Sequence, residues 1–144
     1  MSGNAPNGYS DWVVLHLINS MMTAPIEIKS AYLKHGKFHQ MGNKDVEISP
    51  ETINTYIIPP NAAMDIASCG RHSALYGTEG NVEIWAEGTK ICKLFWSDPY
   101  SGDNDFQLLD YKMGPGSVYA VAVGEWNRSG GSLGNVHVEI VKKG

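Results

Sequence analysis

The residues able to do nucleophilic, acid–base or metal chemistry are few in this 144-residue chain, and their spacing suits none of the three. Five histidines are scattered at His16, His35, His39, His72 and His137. His35 and His39 stand four apart, an interval that puts two imidazoles on one helical face, but Gly36 and the strand pattern around them argue against a helix. Cys69 and His72 could be written as nucleophile and base, yet no third group completes the arrangement. Cys69-Gly70-Arg71 reads more simply as a small buried thiol, a turn glycine and a structural cation. Asp98, Asp103 and Asp105 surround Ser101-Gly102 without calcium-loop spacing or a closing Glu, so they read as a turn with solvated carboxylates. A nucleophile elbow, a phosphate loop and a zincin motif are all missing from the sequence. The expectation is a protein that is not an enzyme and uses no metal or cofactor.

The aromatic residues say more. The chain holds four Trp, seven Tyr and three Phe, and several fall where a buried core would not place them. Trp85 shares strand parity with Glu83 and Glu87 and is expected to face solvent. Trp12 is the first residue of the first strand, Tyr76 lies in the loop after Gly70, and Trp96-Ser-Asp-Pro-Tyr100 is a turn flanked by rings. Amphipathic rings at the rim of a scaffold suit a membrane interface or stacking on sugar faces. Lipid recognition is the leading reading, and a lectin-like carbohydrate-binding module is the alternative.

The elements that must hold these rings are short strands. Trp12–Ile18 is β-branched and apolar and stops at Asn19-Ser20, which reads as a buried strand. Ile26–Tyr32 alternates in period two, with Ile26, Ile28 and Tyr32 on one face. Further strands are predicted at about 54–58, 64–69, 81–86, 90–96, 105–109, 118–126 and 135–142. In the last, Val136, Val138 and Ile140 share the inward face. Pro59-Pro60-Asn61, Glu87-Gly88, Gly114-Pro-Gly116 and Ser129-Gly-Gly131 are turns by composition. Ser49-Pro50-Glu51 has the cap and first-turn residues of a short helix. Nine strands at this spacing predict an all-β fold, a single-domain antiparallel β-sandwich over 11–144, preceded by a flexible arm at 1–10.

Composition sets the boundary conditions. Hydrophobic residues at 42% can bury one core, and a net charge of −4 argues against nucleic acid as a partner. No run of 18 apolar residues occurs, and Met1–Gly8 lacks the basic and apolar regions of a signal peptide. The protein is therefore expected to be soluble, with any release using a route other than a classical signal. Two cysteines, Cys69 and Cys92, are too few for a disulfide framework, and either one bridge or two free thiols fits.

In their order and spacing, several segments resemble the aegerolysins. These are Trp12 with its apolar run, Gly36-Lys37-Phe38-His39, Gly42-Asn43-Lys44-Asp45, Cys69-Gly70-Arg71, Gly77-Thr78-Glu79-Gly80, Phe95-Trp96 with Pro99-Tyr100, and Gly130-Gly131 with Gly134. The resemblance covers about 11–143. It implies a β-sandwich that recognises membrane lipids, typically sphingolipid headgroups in sterol-containing bilayers. It also implies release without a classical signal, action at a target-cell membrane, a larger partner of the perforin-like (MACPF) class that builds the pore, and insecticidal action in some bacterial pairs; a bound adaptor of this kind would gather as an array, so a homo-oligomer is one expected state. The resemblance puts Trp12, His35, Tyr76, Tyr100 and Asp103 in the lipid site, with Trp96 alongside. Three positions depart from the sphingomyelin-binding pattern, with His35 standing for Trp, Tyr76 for Glu and Asp103 for Lys, and Asp98 stands where the family carries its second Cys.

Overall fold

The computed structural model describes residues 7–143. Eleven strands and one short helix follow one another: β1 (Trp12–Asn19), β2 (Ile26–His35), β3 (Lys37–Gln40), β4 (Asn43–Ile48), α1 (Pro50–Ile53), β5 (Ile57–Ile58), β6 (Ala62–Cys69), β7 (Thr78–Ala86), β8 (Thr89–Asp98), β9 (Asp105–Leu109), β10 (Tyr119–Val123) and β11 (Gly134–Lys142). They form a sandwich of a six-stranded sheet, β10-β11-β1-β6-β3-β4, and a five-stranded sheet, β5-β2-β7-β8-β9. Every pairing is antiparallel except β1 with β11, which runs parallel from Val13 opposite Gly134 to Asn19 opposite Ile140.

Alternation along each strand fills the space between the sheets. Val13, Leu15 and Leu17 of β1 meet Val136, Val138 and Ile140 of β11, and Val82, Ile84, Leu94 and Trp96 come from the facing sheet. Asn19 ends β1 inside the core and is satisfied there, its amide donating to the carbonyls of Ala24, Ile58 and Pro59.

The expected strands all exist, and the structure adds two. β3 and β4 escaped prediction because their hairpin carries Lys37, His39, Lys44, Asp45 and Glu47 instead of a period-two apolar pattern, and β4 is an edge strand. Tyr32 is 57% exposed and does not share the face of Ile26 and Ile28. Ser30 takes a positive φ of 53°, and the register shifts between Lys29 and Tyr32, so the parity of β2 reverses. Trp85 does face outward, its Nε1 donating to Glu83 and its ring lying 4.5 Å from the Lys29 ammonium.

Part of the expected flexible arm, residues 1–6, lies outside the described residues. The remainder is docked: Gly8–Ser10 forms a 3-10 turn whose Asn7 cap accepts from the Tyr9 amide. Ser49 caps α1, its hydroxyl accepting from the Thr52 amide, with Pro50 at the first position. Ser49→Ala is expected to lower stability by about 1 kcal/mol, read as a shift of the urea midpoint at constant slope.

Candidate functional site

One end of the sandwich gathers the starts of β1, β3 and β7 and the ends of β2, β6 and β8. The registers show this: Trp12 and Lys37 both lie opposite Cys69, Thr78 lies opposite Asp98, and His35 lies opposite Glu79. Two glycines let the chain close here. Gly36 carries the chain from one sheet to the other at φ +91°, where a Cβ would stand 2.5 Å from the Cys69 carbonyl. At Gly77 a Cβ would fall 1.7 Å from the Asp98 carbonyl, so only glycine lets the 70–77 loop seat against the end of β8.

Two depressions flank this end, one on the outer face of each sheet. The first, about 310 Å³, lies on the five-stranded side and is lined by His35, Tyr76, Glu79, Ser97, Pro99 and Tyr100, among others. His35 and Tyr76 stack face to face, with ring centroids 4.4 Å apart and planes 3° from parallel. Tyr76 is 62% and Tyr100 45% exposed, and Leu75 beside them is 61% exposed. Lys34 lies 3.8 Å from Glu79 on the rim. The second depression, about 660 Å³, lies on the six-stranded side around Trp12, with Tyr9, Val14, His39, Met41 and Lys44.

Trp12, His35, Tyr76 and Tyr100 thus come together at one end, Trp12 in one hollow and the other three in the next. Asp103 is exposed on the same loop as Tyr100 but lines neither depression. Trp96 is corrected outright: it is fully buried, donates from Nε1 to Thr78 Oγ1 at 3.1 Å, and meets Phe38 edge-on with centroids 6.1 Å apart. Its parity with Cys92 and Leu94 on β8 carries this signal, because all three point inward.

The same parity buries Asp98, which is not a solvated turn residue. It is fully buried, accepts from the Leu133 amide at 2.7 Å through Oδ2, and leaves Oδ1 without a partner. Burial raises its pKa to about 7, against the pull of the Leu133 amide and with help from the charge of Asp11. Cys69 and Cys92 are both buried free thiols. Burial pushes the Cys92 thiol up to about 12 and moves Cys69 upward as well, the reverse of what a nucleophile needs. Arg71 holds Glu47 with two hydrogen bonds at 2.9 and 3.0 Å, keeping that carboxyl below its usual range. No group of three or more potential metal ligands occurs among the described residues.

Four contributors to this end were missed in the sequence: Tyr9, Met41, Lys44 and Leu75. Leu75 and Met41 could have been found, since each is a large apolar residue in a short polar turn bounded by glycine. Tyr9 sits in a segment with no periodicity and offers no such signal.

This end of the sandwich carries solvent-facing rings, and comparison with known proteins places the chain among relatives of the same fold. A family model described as Aegerolysin matches residues 10–143. Asp-hemolysin of Aspergillus fumigatus is 38% identical over 136 residues, spanning 94% of this chain and 95% of the relative. Among solved structures, IP-1A from Alcaligenes faecalis superposes with a TM-score of 0.85 at 33% identity, covering 96% of this chain and 95% of that one. The RahU protein, solved in complex with a Tris molecule, has a TM-score of 0.84 at 29% identity, covering 94% and 98%.

Proposed function

The chain belongs to the aegerolysin family, and from that premise we propose that its Trp12–Tyr100 end binds a sphingolipid-type headgroup at the surface of a target membrane. The observation that carries this reading is the exposed set at one end, Leu75, Tyr76 and Tyr100, backed by the His35–Tyr76 stack. Rings with an apolar body and a polar tip partition to the boundary between headgroups and acyl chains, where both parts are satisfied. Polar groups around them, Glu79, Ser97 and the Pro99–Asp103 loop, then read the headgroup. Hemolysin among the names of the relatives supports a membrane target.

In this reading the protein is a recognition component and a larger perforin-like partner opens the pore. No helix among the described residues is long and apolar enough to cross a membrane, and an array of bound copies would raise the partner's local concentration. Insect membranes enter as one target class.

Sedimentation with vesicles in which sphingolipid headgroup and sterol are varied separately, including vesicles of insect lipid extract, tests the proposal. Tyr100→Ala is expected to weaken capture about tenfold, equivalent to about 1.4 kcal/mol, with little change in thermal midpoint because the ring is half exposed. Binding to a glycan array with no vesicle capture would establish the lectin-like alternative instead. Dye release by this chain alone at low concentration would remove the partner from the scheme.

A further inference from the structure

The second depression has an electrostatic character of its own. Trp12, Cys69 and Lys37 stand side by side across β1, β6 and β3, and Val14, Ala67 and His39 form the next row. Lys37 is 8% exposed as a residue. Its Nζ donates to Tyr9 Oη at 2.7 Å and lies 4.6 Å from the centre of that ring. Lys44 Nζ donates to the Tyr9 carbonyl at 2.5 Å and stands 5.6 Å from the Trp12 ring.

Among the described residues neither lysine forms an ion pair. Two carboxylates stand nearby: Asp45, which also lines the hollow, accepts from the Tyr9 hydroxyl at 2.9 Å, and Glu47 holds Arg71. Each ammonium carries three donors, of which Lys37 and Lys44 each use one on Tyr9 among the described residues, so donors are left for an anion. His39 adds a second unmet demand. Its Nδ1 is bonded to the Gln40 carbonyl at 2.8 Å, while its Nε2 is buried with no partner.

We propose that the depression beside Trp12 binds the phosphate group of a phosphate ester, with Lys44 and the protonated Nε2 of His39 as donors and Lys37 supplying positive potential from behind Tyr9. Asn43 and Asn135 also line the hollow and offer neutral amide donors. A lipid headgroup and a soluble phosphate ester present the same anionic group to these donors. Where the phosphate is a lipid's, the inference rests on the membrane reading above and adds a second contact point on the opposite face of the same end.

The arrangement couples binding to a proton. With Nδ1–H given to Gln40, a neutral ring leaves Nε2 an acceptor, which repels an anion. Burial lowers the His39 pKa, partly opposed by the Gln40 bond, and the charges of Lys44 and Lys37 lower it further. The other charged groups on the surrounding elements are Asp45 and Glu47 of β4, Arg71 beyond β6, and Asp11 before β1. A bound anion favours the protonated ring, so affinity rises as pH falls.

The test is a titration of the full chain with inorganic sulfate, whose charge is constant across the range, followed by amide and indole NMR shifts at about pH 5.5 and about pH 8. Vesicle capture runs in parallel on phosphatidylcholine and on uncharged galactosylceramide vesicles. Saturable shifts are expected at Trp12, His39 and Lys44, with affinity about fivefold higher at the lower pH. Lys44→Gln should weaken sulfate about tenfold without moving the thermal midpoint, and His39→Gln should flatten the pH dependence. Loss of capture by Lys44→Gln on phosphatidylcholine but not on galactosylceramide assigns the phosphate to a lipid. Loss of sulfate binding with capture unchanged assigns it to a soluble ester. The absence of saturable shifts at both pH values, or Lys44→Gln binding sulfate like the parent, overturns the inference. Should that happen while Tyr100→Ala still loses capture, the membrane reading stands and this one alone falls.

Discussion

Trp96→Ala is expected to destabilise the protein by about 3–5 kcal/mol, enough to unfold a substantial fraction of a domain of ordinary stability. The indole is fully enclosed between Phe38 and the β7–β8 ladder, so its removal leaves a large cavity whose walls are strands fixed by their own hydrogen bonds. The Thr78 hydroxyl would lose the indole donor but keep its 2.6 Å bond to Ser68. Urea denaturation should show a lowered midpoint at unchanged slope. Trp96→Phe keeps most of the volume and should fold, and it should bind vesicles like the parent. A Trp96→Ala midpoint equal to the parent's would contradict the burial, and a folded Trp96→Phe that no longer binds lipid would return this residue to the binding surface.

The second large effect is a fall in stability with rising pH, caused by Asp98. In the unfolded chain its carboxyl ionises near the ordinary value of 3.8, whereas in the folded protein it holds its proton to about 7. Below 3.8 both states are protonated and folding carries no penalty. Between those values the unfolded chain ionises and the folded one does not, so stability declines as pH rises. Above about 7 the decline levels off, having reached roughly 4 kcal/mol.

Glu47, Glu83, Glu87 and Asp110 act in the opposite sense. Their pKa values are lowered by partners such as Arg71, Trp85, Tyr119 and Lys90, and their contribution is lost as pH falls through the folded values. The maximum should therefore lie on the mildly acidic side. Asp98→Asn, which keeps an acceptor for the Leu133 amide and cannot ionise, should flatten the slope between about 4 and 7 and raise the midpoint at about pH 8. A parent midpoint that is constant or increases across that interval would refute the assignment.

Strand-by-strand alternation was legible in the residue order because it is a local property: side chains of an extended chain point to opposite faces in turn, whatever lies beyond. It placed Val136, Val138 and Ile140 inward and Trp85 outward, and followed through β8 it also puts Trp96 and Asp98 inside. The capped turn at Ser49 was legible for the same reason, since donor, acceptor and proline lie within one turn. The resemblance likewise brought Trp12, His35, Tyr76 and Tyr100 to one end before any coordinates, although it could not separate exposed rings from the buried Trp96.

Other features depend on partners far away in the chain, and only the tertiary structure decided them. The reversal of parity at Ser30 needs β7 to receive the bulge, and the parallel pairing of β1 with β11 joins the two ends of the fold. The β3–β4 hairpin is mostly polar around the Phe38–Ile48 pair, and β6 offers it an edge to pair with. The charge states at the candidate site follow the same rule. Asp98 is raised because packing removes its water, and Lys37 and Asp45 are joined through the Tyr9 hydroxyl, which accepts from one and donates to the other. Alternation tells which way a side chain points, but solvent exclusion and competition for partners are set by everything packed around it.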